Sequence, residues 1–313
     1  MQAIWFERLG GPDVLEVRDV PDPVLGDGEV LVNVEAVGVN YRDVYERTRE
    51  HYGVDPPGVI GAEAGGTSAE GERLVWNAVP HSYAEKVAVP RTQAVVVPDG
   101  VATDLAVAVL LQGMTAHYLC YSTYPVKAGD TVLVHAAAGG VGLLLVQMCH
   151  NLGARVIGTV STEEKAKLAR EAGADEVILY TQSDFETETK RLTDGKGVNV
   201  VYDSVGKTTF DKGLNILKPR GMMVLFGGSS GAVPPFDPIV LSTKGSLFVT
   251  RPTLGHYTAT REELESRASA VFSMISAGKL KLRIEHTYPL AQAQQAHRDL
   301  EGRKTTGKLL LLP

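Results

Sequence analysis

The sequence has little cysteine, and this scarcity excludes two classes of protein. Cys120 and Cys149 are the only cysteines among 313 residues, whereas a disulfide framework or a multi-cysteine structural zinc site needs more. The eight histidines show no His-Glu-x-x-His or similar spacing, and Cys149 and His150 would point in different directions on a helix. We therefore expect neither structural zinc nor a catalytic metal.

An excess of positive charge and long hydrophobic runs are also missing. The 31 basic and 37 acidic residues give a net charge of -6, which argues against a general binder of nucleic acids or anionic membranes. No apolar run approaches the roughly 20 residues that span a bilayer, and residues 1–8 lack the basic-then-apolar order of a signal peptide. The sequence predicts a cytoplasmic protein without membrane or nucleic-acid partners.

What the sequence does contain is a regular alternation of strands and helices in its middle. Between residues 131 and 250, strand-like runs rich in Val, Leu and Ile alternate with helical ones, which is typical of a parallel sheet covered on both faces. Residues 1–97 instead show short strand-like runs separated by Pro and Gly turns. We predict an α/β fold in which a doubly wound parallel Rossmann sheet, residues 113–251, is inserted into a mainly β catalytic domain, residues 1–112 plus 252–313.

A glycine-rich turn follows the first of these parallel strands. The strand-like run 132–134 leads into His135-Ala136-Ala137-Ala138-Gly139-Gly140-Val141-Gly142 and then a helical run. Gly139 would let the backbone approach a pyrophosphate, and Gly142 would let helix and strand pack closely. The helix N-terminus would offer N–H groups to the anion. The alternative is a mere tight turn, but the strand–turn–helix context favours a dinucleotide site formed by Ala138, Gly139, Gly140, Val141 and Gly142.

The end of the second parallel strand indicates which dinucleotide is bound. NAD enzymes place an acidic residue there for the ribose 2′-hydroxyl, whereas this chain has Ser161, followed one helical turn later by Lys165. Space for a phosphate and a nearby cation favour NADPH over NADH. Glu163 and Glu164 oppose this reading unless they point away. The alternative is that Ser161 or Thr162 only caps a helix and Lys165 is solvated.

Several short runs resemble a known family. They are the glycine turn, Gly38-Val39-Asn40-Tyr41-Arg42-Asp43-Val44-Tyr45, Gly61-Ala62-Glu63-Ala64-Gly65-Gly66, Val201-Tyr202-Asp203-Ser204-Val205-Gly206 and Val249-Thr250-Arg251-Pro252. With these runs, the chain is similar nearly end to end to the zinc-free medium-chain dehydrogenases/reductases of the quinone oxidoreductase branch, which includes zeta-crystallin. The resemblance implies a GroES-like barrel for the catalytic domain. Zinc alcohol dehydrogenases of the same superfamily carry a ligand Cys where this chain has Asn40.

The resemblance also implies an activity, a cofactor and a set of site residues. It implies NADPH-dependent reduction of quinones or activated enones, with the nicotinamide between the domains, and a homodimer formed along residues 246–250. The substrate residues that it implies are Asn40, Asp43 and Tyr45, with Tyr52 as a cap and Arg251 beside the cleft. The cofactor residues that it implies are Thr115 near the nicotinamide, and Lys165, Tyr180 and Arg303 at the 2′-phosphate. Independently, Tyr180 ends the third parallel strand at the ligand-binding edge, although it could equally be an amphipathic residue at a strand end.

A second glycine-rich segment follows the fifth parallel strand. Gly227-Gly228-Ser229-Ser230-Gly231 formally fits the Gly-x-Ser-x-Gly nucleophile elbow, but that elbow must open a helix. Ala232-Val233-Pro234-Pro235 prevents one. We expect Gly227, Gly228 and Ser229 to let the backbone approach the cofactor instead. Gly228 stands where many members of the family have Asn, which would remove a polar contact.

The chemistry leaves three hypotheses for the function. Hydride transfer belongs to the cofactor, so the protein must bind the reactants and stabilise oxyanion charge through Asn40, Tyr45, Tyr52 or Arg251, with water as another proton source. Each side chain also has a structural explanation: packing for Tyr45, a turn cap for Asn40 and an ion pair for Arg251. The leading hypothesis is an NADPH:quinone reductase. The rivals are an NADPH-dependent reductase of C=C bonds in enals, enones or enoyl thioesters, and a non-catalytic NADPH-binding or RNA-binding protein, which the acidic balance supports little.

Overall fold

A computed structural model describes residues 1–49 and 52–313 of the chain. The described residues divide into two compact units. Unit 1 comprises Met1–Met114, Thr258–Gly278 and Leu282–Pro313, and unit 2 comprises Thr115–Tyr257 and Lys279–Lys281. These divisions lie a few residues C-terminal to the boundaries suggested by the sequence.

Unit 1 is built on two sheets. Its strands are β1 (Gln2–Phe6), β2 (Leu15–Asp19), β3 (Glu29–Val39), β4 (Gly58–Val59), β5 (Ala64–Ser68), β6 (Arg73–Trp76), β7 (Lys86–Pro90), β8 (Val95–Val96), β15 (Ile284–Pro289) and β16 (Lys308–Leu312). The strand orders are β2-β1-β4 and β15-β16-β3-β5-β6-β8, with β7 also paired to β3. Its helices are α1 (Tyr41–Thr48), α2 (Thr103–Tyr118, which continues into unit 2), α8 (Arg261–Ser276) and α9 (Ala293–Glu301), with short 3-10 turns at Pro12–Val14 and Leu290–Gln292.

The long strand β3 shows how the sequence pattern produces the core of unit 1. Val30, Val32, Val34 and Ala36 alternate at period 2, and all four side chains are buried. The period-2 pattern is what a strand with one buried face requires. The three valines join one apolar cluster with Trp76 and residues of the C-terminal strand β16. The core of unit 1 is therefore completed by residues from both ends of the chain.

Unit 2 is the predicted doubly wound unit. Its strands are β9 (Thr131–His135), β10 (Arg155–Val160), β11 (Glu176–Leu179), β12 (Val198–Asp203), β13 (Leu217–Leu225) and β14 (Phe248–Thr250). All pair in parallel in the order β11-β10-β9-β12-β13-β14, the Rossmann order with its switch point between β9 and β12. The helices are α3 (Gly140–Asn151), α4 (Glu163–Glu171), α5 (Phe185–Leu192), α6 (Phe210–Asn215) and α7 (Ile239–Thr243), with a 3-10 turn at Leu254–Tyr257.

One helix corrects an expectation about apolar runs. Helix α2 and the π-helical turn Leu119–Thr123 form a continuous segment, Thr103–Thr123, of 21 residues. By length and composition it could cross a membrane, although the sequence was expected to hold no apolar run of that length. Within the structure, 72% of its most apolar window is buried. Buried core helices pass the same test, so the segment is weak evidence for a membrane span.

Candidate active site

The glycine-rich turn joins β9 to α3 within unit 2. Helix α3 begins at Gly140 with Gly139 as its N-cap, and the first N–H groups of a helix have no acceptor inside it. A Cβ on Gly142 would lie 2.2 Å from the backbone oxygen of Ala136 and 2.9 Å from Cα of Ala137, so only glycine fits. The predicted set Ala138, Gly139, Gly140, Val141 and Gly142 lies in this turn and the start of α3. The turn thus presents N–H groups and the positive end of a helix dipole to an anion.

Three predicted cofactor residues meet at the carboxyl edge of β10 and β11. Ser161 directly follows β10 and Tyr180 directly follows β11, and the backbone N–H of Tyr180 donates to the oxygen of Val160 over 3.1 Å. Lys165 lies in the first turn of α4 and is half-buried. The N-cap of α4 is Thr162, whose Oγ1 accepts from the backbone N–H of Lys165 at 3.3 Å. The Ser161 side chain is therefore not the cap of this helix.

Glu163, the first of the three glutamates of α4, does not share the face of Lys165. Glu163 pairs with Arg170 over 3.6 Å, and residues seven apart lie on the same helical face. Lys165 is two residues from Glu163 and hence about 200° round the helix. Glu164 is exposed, and hydrogen bonds from its own backbone N–H and from Thr162 lower its pKa. The Glu163 carboxylate is thus directed away from the side where Lys165 could meet a phosphate.

The second glycine-rich loop, residues 227–231, follows β13. The backbone N–H of Ser229 donates to the oxygen of Ser204 over 3.2 Å, and a Cβ on Gly227 would lie 2.5 Å from that same oxygen. No helix begins between this loop and Ile239, which confirms that it is not a nucleophile elbow. Gly227 packs closely on the loop after β12, which leaves no room for a side chain at this position. Contacts of Gly227, Gly228 and Ser229 with a cofactor stay a prediction.

Three further predicted residues lie on separate elements. Thr115 is buried in α2. Arg251 directly follows β14, is exposed, and its Nη1 lies 3.5 Å from the oxygen of Pro252. Arg303 lies in unit 1 between α9 and β16, exposed, with a φ of 55°. Their contacts with substrate or cofactor stay predictions.

Asn40 lies in a buried polar cluster of unit 1, which we call the Asn40 hub and define as Asn40, Glu63, Gln112 and Lys308. These four residues are between 0% and 6% exposed. Lys308 Nζ donates to Glu63 Oε2 over 2.5 Å and to Asn40 Oδ1 over 2.9 Å. Gln112 Nε2 donates to Asn40 Oδ1 over 2.6 Å. Asn40 Nδ2 in turn donates to Glu63 Oε2 at 2.8 Å and to the oxygen of Gly38 at 3.0 Å.

Every hydrogen-bonding position of the Asn40 side-chain amide is occupied, by the other members of the hub and by the backbone oxygen of Gly38. An asparagine side chain has two N–H donors and two acceptor lone pairs on its oxygen. Both donors go to Glu63 and Gly38, and both lone pairs accept from Lys308 and Gln112. Asn40 therefore has no donor left for an oxyanion, which differs from the direct contact suggested by the sequence. Its role in this geometry is to hold the turn between β3 and α1.

Asp43 stands beside the hub and is also internal. Its Oδ2 accepts from the backbone N–H of Asn40 over 2.8 Å and from the hydroxyl of Tyr83 over 2.9 Å. The same hydroxyl lies 3.2 Å from His297 Nε2. Burial raises the pKa of Asp43 to about 7 against the opposing charge of Arg42, and burial lowers the pKa of His297 to about 3. Asp43 is 0% exposed, so it holds the start of α1 and does not present its carboxylate to a ligand.

The two predicted tyrosines, Tyr45 and Tyr52, form an aromatic cluster with Tyr41. Tyr41 and Tyr45 pack edge to face with ring centres 5.6 Å apart, and Tyr45 and Tyr52 do the same at 5.4 Å. The Arg49 guanidinium lies 4.0 Å from the centre of the Tyr45 ring, which is a cation–π contact. Tyr52 is 39% exposed. Tyr45 and Tyr52 are thus the predicted catalytic side chains of unit 1 with surface available to a ligand.

Sequence reasoning missed five buried residues of this region. They are Glu63, Tyr83, Gln112, His297 and Lys308. Two of them could have been found from the sequence. Glu63 stands alone among Gly and Ala, and Lys308 precedes four leucines. A lone charge in an apolar run indicates a buried partner. Over residues 1–49 and 52–313, no group of three or more His, Cys, Asp or Glu side chains could hold a metal ion.

Two family models match the chain. The model described as alcohol dehydrogenase GroES-like domain matches residues 26–79. The model described as zinc-binding dehydrogenase matches residues 140–271.

Curated and structural relatives match over almost the whole length. A quinone oxidoreductase of Pseudomonas aeruginosa is 42% identical, with 100% of this chain and 99% of the relative covered. A 2-haloacrylate reductase of a Burkholderia species is 40% identical, with 100% and 99% covered. The crystal structure of Escherichia coli quinone oxidoreductase complexed with NADPH is 39% identical, has a TM-score of 0.97, and is matched over 100% of both chains.

Proposed function

Because the chain belongs to the quinone oxidoreductase branch of the medium-chain dehydrogenase/reductase family, we propose that it is an NADPH-dependent quinone oxidoreductase. The observation that carries the proposal is the carboxyl edge of the unit 2 sheet. There the N-terminus of α3 can receive a pyrophosphate, and the position of the NAD-specific carboxylate holds Ser161, next to Tyr180 and one turn before Lys165. This donor set suits a 2′-phosphate better than a bare ribose.

The residues of this edge fit NADPH in three respects. Gly142 lets the start of α3 pack closely on the backbone of Ala136 and Ala137, and the first N–H groups of α3 would take the pyrophosphate. Lys165 and Tyr180 would hold the 2′-phosphate by charge and hydrogen bond. Thr115 would contact the nicotinamide end. When bound, NADPH supplies the hydride.

Zinc does not fit the donor set of unit 1. Asn40 stands where zinc enzymes of the superfamily have a ligand Cys, and its amide oxygen already accepts from the ammonium of Lys308 and from Gln112. A metal cation near that oxygen would meet the positive charge of Lys308 at close range. We therefore propose a zinc-independent enzyme, in which no step depends on a metal.

The substrate side must orient the acceptor and stabilise the charge that develops on its oxygen. The hydroxyls of Tyr45 and Tyr52 are the unit 1 donors that we assign to this work. A tyrosine hydroxyl carries one O–H group that can donate a hydrogen bond to the oxyanion. The buried Asn40 hub and Asp43 hold the turn from which α1 carries Tyr45. Water then supplies the proton that completes the hydroquinone.

A second candidate function is reduction of an activated C=C bond. It is favoured by the 2-haloacrylate reductase that is 40% identical over the whole chain. The half-reaction is shared, because hydride adds to an electron-poor carbon in both cases and charge develops on a conjugated oxygen. Discrimination between quinones and activated C=C bonds must therefore come from the shape of the acceptor site and not from the cofactor edge.

We also propose a homodimer formed through the open edge of the unit 2 sheet. Strand β14 pairs with β13 on one side and with no other strand of this six-stranded sheet, and Phe248 on it is 56% exposed. An unpaired edge with an exposed aromatic side chain suits pairing across a two-fold axis. Light scattering at micromolar concentration should give twice the chain mass. A monomer contradicts this proposal.

The test of the function is a panel of initial rates. Oxidation of NADPH, with NADH in parallel, is followed against 1,4-benzoquinone, 9,10-phenanthrenequinone, an enal and crotonyl-coenzyme A. We expect rapid, NADPH-selective turnover with the quinones. Preference for the enal or the thioester would instead establish the C=C reductase, and tight NADPH binding without turnover would establish a non-catalytic protein.

A further inference from the structure

Three arginines lie on or directly after helix α1, and two of them have carboxylate partners inside unit 1. Arg42 Nη1 lies 3.4 Å from Asp43 Oδ1 and 3.4 Å from Glu46 Oε2. Arg47 is 0% exposed and forms an ion pair with Glu301. The positive charges of these two arginines are therefore balanced within the fold, and neither is presented to a ligand.

The third arginine, Arg49, is exposed and lies at the C-terminal end of α1. Over residues 1–49 and 52–313, its guanidinium has no hydrogen bond and no carboxylate partner, and its contact is with the face of the Tyr45 ring, 4.0 Å from the ring centre. Such a cation–π contact leaves the five N–H donors of the guanidinium unused. Arg49 is thus a held, solvent-accessible cation with its hydrogen-bond donors available.

Arg49 belongs to the same contact cluster as the tyrosines that we assign to the acceptor. Tyr45 touches Arg49 on its ring face and packs edge to face with Tyr52, whose side chain is accessible to solvent. A guanidinium binds a carboxylate or sulfonate through two parallel N–H groups. One such cation matches one anionic group, whereas the several phosphate charges of a coenzyme A ester need a larger basic patch, which the pairing of Arg42 and Arg47 removes.

We propose that Arg49 determines specificity for acceptors that carry a single anionic group, a carboxylate or sulfonate, beside the reducible quinone or enone. The proposal rests on the proposed function and assigns the class of its substrate. The N–H groups of Arg49 bind the anionic substituent, and the hydroxyls of Tyr45 and Tyr52 meet the oxygen on which charge develops. A neutral acceptor uses the tyrosines alone, so it gains nothing from Arg49.

The test compares 9,10-phenanthrenequinone with its 3-sulfonate in wild type, Arg49→Gln and Arg49→Lys. The two quinones differ in intrinsic reactivity, so the quantity of interest is the change between variants in the ratio of their kcat/KM values. Arg49→Gln should lower kcat/KM for the sulfonate about fivefold, through KM, and hardly change that for the neutral quinone. Arg49→Lys keeps the charge but loses the paired N–H geometry, so it should retain part of the preference. Added salt should weaken the effect of Arg49.

The controls separate a contact with the substrate from a structural effect. Arg91→Gln changes the net charge by the same amount at an exposed arginine of unit 1 that pairs with Glu72 over 2.9 Å, and it should leave the ratio at the wild-type value. If Arg49→Gln lowers kcat/KM equally for both quinones, Arg49 only supports the orientation of Tyr45 and the proposal is wrong. An unchanged kcat/KM for both quinones would also refute it.

Equilibrium dialysis of the sulfonate without NADPH distinguishes this inference from the proposed function. If no quinone is reduced, but the sulfonate binds wild type about fivefold more tightly than Arg49→Gln, the quinone reductase is refuted and the contact with Arg49 is supported. NADPH-dependent quinone turnover with a ratio insensitive to Arg49→Gln would refute the contact alone. A wild-type protein that neither binds the sulfonate nor reduces either quinone would refute both.

Discussion

The glycine turn of unit 2 and the Asn40 hub of unit 1 are built in opposite ways. The turn takes its groups from contiguous residues between β9 and α3, and those groups are mostly backbone N–H donors. The hub takes side chains from the end of β3, the segment before β5, helix α2 and the start of β16, and Lys308 lies 268 residues from Asn40. A backbone site of this kind depends on local conformation, whereas the hub depends on four elements that meet only in the folded unit.

The difference has an energetic consequence. The turn is the proposed pyrophosphate site, so a change there should act first on cofactor binding. The hub encloses a buried ion pair, and removing one partner of such a pair leaves an uncompensated charge in a poorly solvated place. Changes in the hub should therefore act first on the stability of the fold.

Loss of the buried cation should have the largest effect. Lys308→Met leaves the Glu63 carboxylate without its partner at 2.5 Å, so the free energy of unfolding should fall by about 3–5 kcal/mol. Guanidinium chloride unfolding measures the change. The matched control is Lys279→Met at an exposed position, which should stay within about 0.5 kcal/mol of wild type. Similar values for the two variants would refute the buried role of Lys308.

The buried carboxyl of Asp43 should have the second-largest effect, which is a pH dependence of the free energy of unfolding. Burial raises its pKa from 3.8 to about 7, while Arg42, Glu46, Tyr83 and the backbone of Asn40 surround it. The folded state thus binds the proton more tightly than the unfolded state. That stabilisation is fully present below about pH 4 and is lost as the pH rises through about 7. Relative to Asp43→Asn, wild type should lose on the order of 2–4 kcal/mol of unfolding free energy between about pH 4 and pH 8.

Urea unfolding of both proteins across this pH range measures the difference. Titration of His297 does not contribute to this difference, because its lowered pKa of about 3 keeps it neutral between about pH 4 and pH 8. A constant difference between wild type and Asp43→Asn would show that the pKa of Asp43 is the same in both states.

A methyl group in the glycine turn should have a smaller effect on stability and a strong one on binding. In Gly142→Ala the new Cβ would lie 2.2 Å from a backbone oxygen, and such overpacking costs about 1–3 kcal/mol. Titration should also show NADPH binding lost, because the clash distorts the start of α3. Gly139→Ala is the matched control for stability, since its Cβ would lie 3.2 Å from the same oxygen. Equal destabilisation by both changes would contradict the packing argument.

The smallest effect should come from the cation at the cofactor edge. Lys165→Ala removes the charge that we propose for the 2′-phosphate contact, so the KM for NADPH should rise about tenfold, or roughly 1.4 kcal/mol, while the KM for NADH hardly changes. Lys167→Ala, two residues away on an exposed face of α4, should change neither constant. Equal effects of Lys165→Ala on the two cofactors would refute the phosphate contact.

The same contrast explains what the sequence could predict. Strand β3, the parallel sheet and the glycine turn follow from period, composition and glycine spacing, which are properties of neighbouring residues. The assignment of Thr162 as the cap of α4 needed the structure only to choose between two adjacent residues. Local patterns therefore predicted the fold and the place of the glycine turn between β9 and α3.

The hub could not be predicted in this way. Glu63 and Lys308 stand out as single charges in apolar surroundings, but nothing in the sequence says that they pair across 245 positions. The role of Asn40 shows the same limit, because its residue type suggests a donor and only its four hydrogen bonds show that no donor is left. Long-range pairing is a property of the folded chain, so side-chain sites assembled from distant elements need a structure.

A double-mutant cycle on Lys308 and Glu63 shows whether the Asn40 hub acts as one buried unit. Unfolding free energies of wild type, Lys308→Met, Glu63→Gln and the double variant give the coupling between the two side chains. If the hub works as one buried unit, each single change should lower the free energy of unfolding. The double variant should then be at least about 2 kcal/mol more stable than the sum of the two single changes predicts. Additive costs, equal to their sum within about 0.5 kcal/mol, would contradict the account.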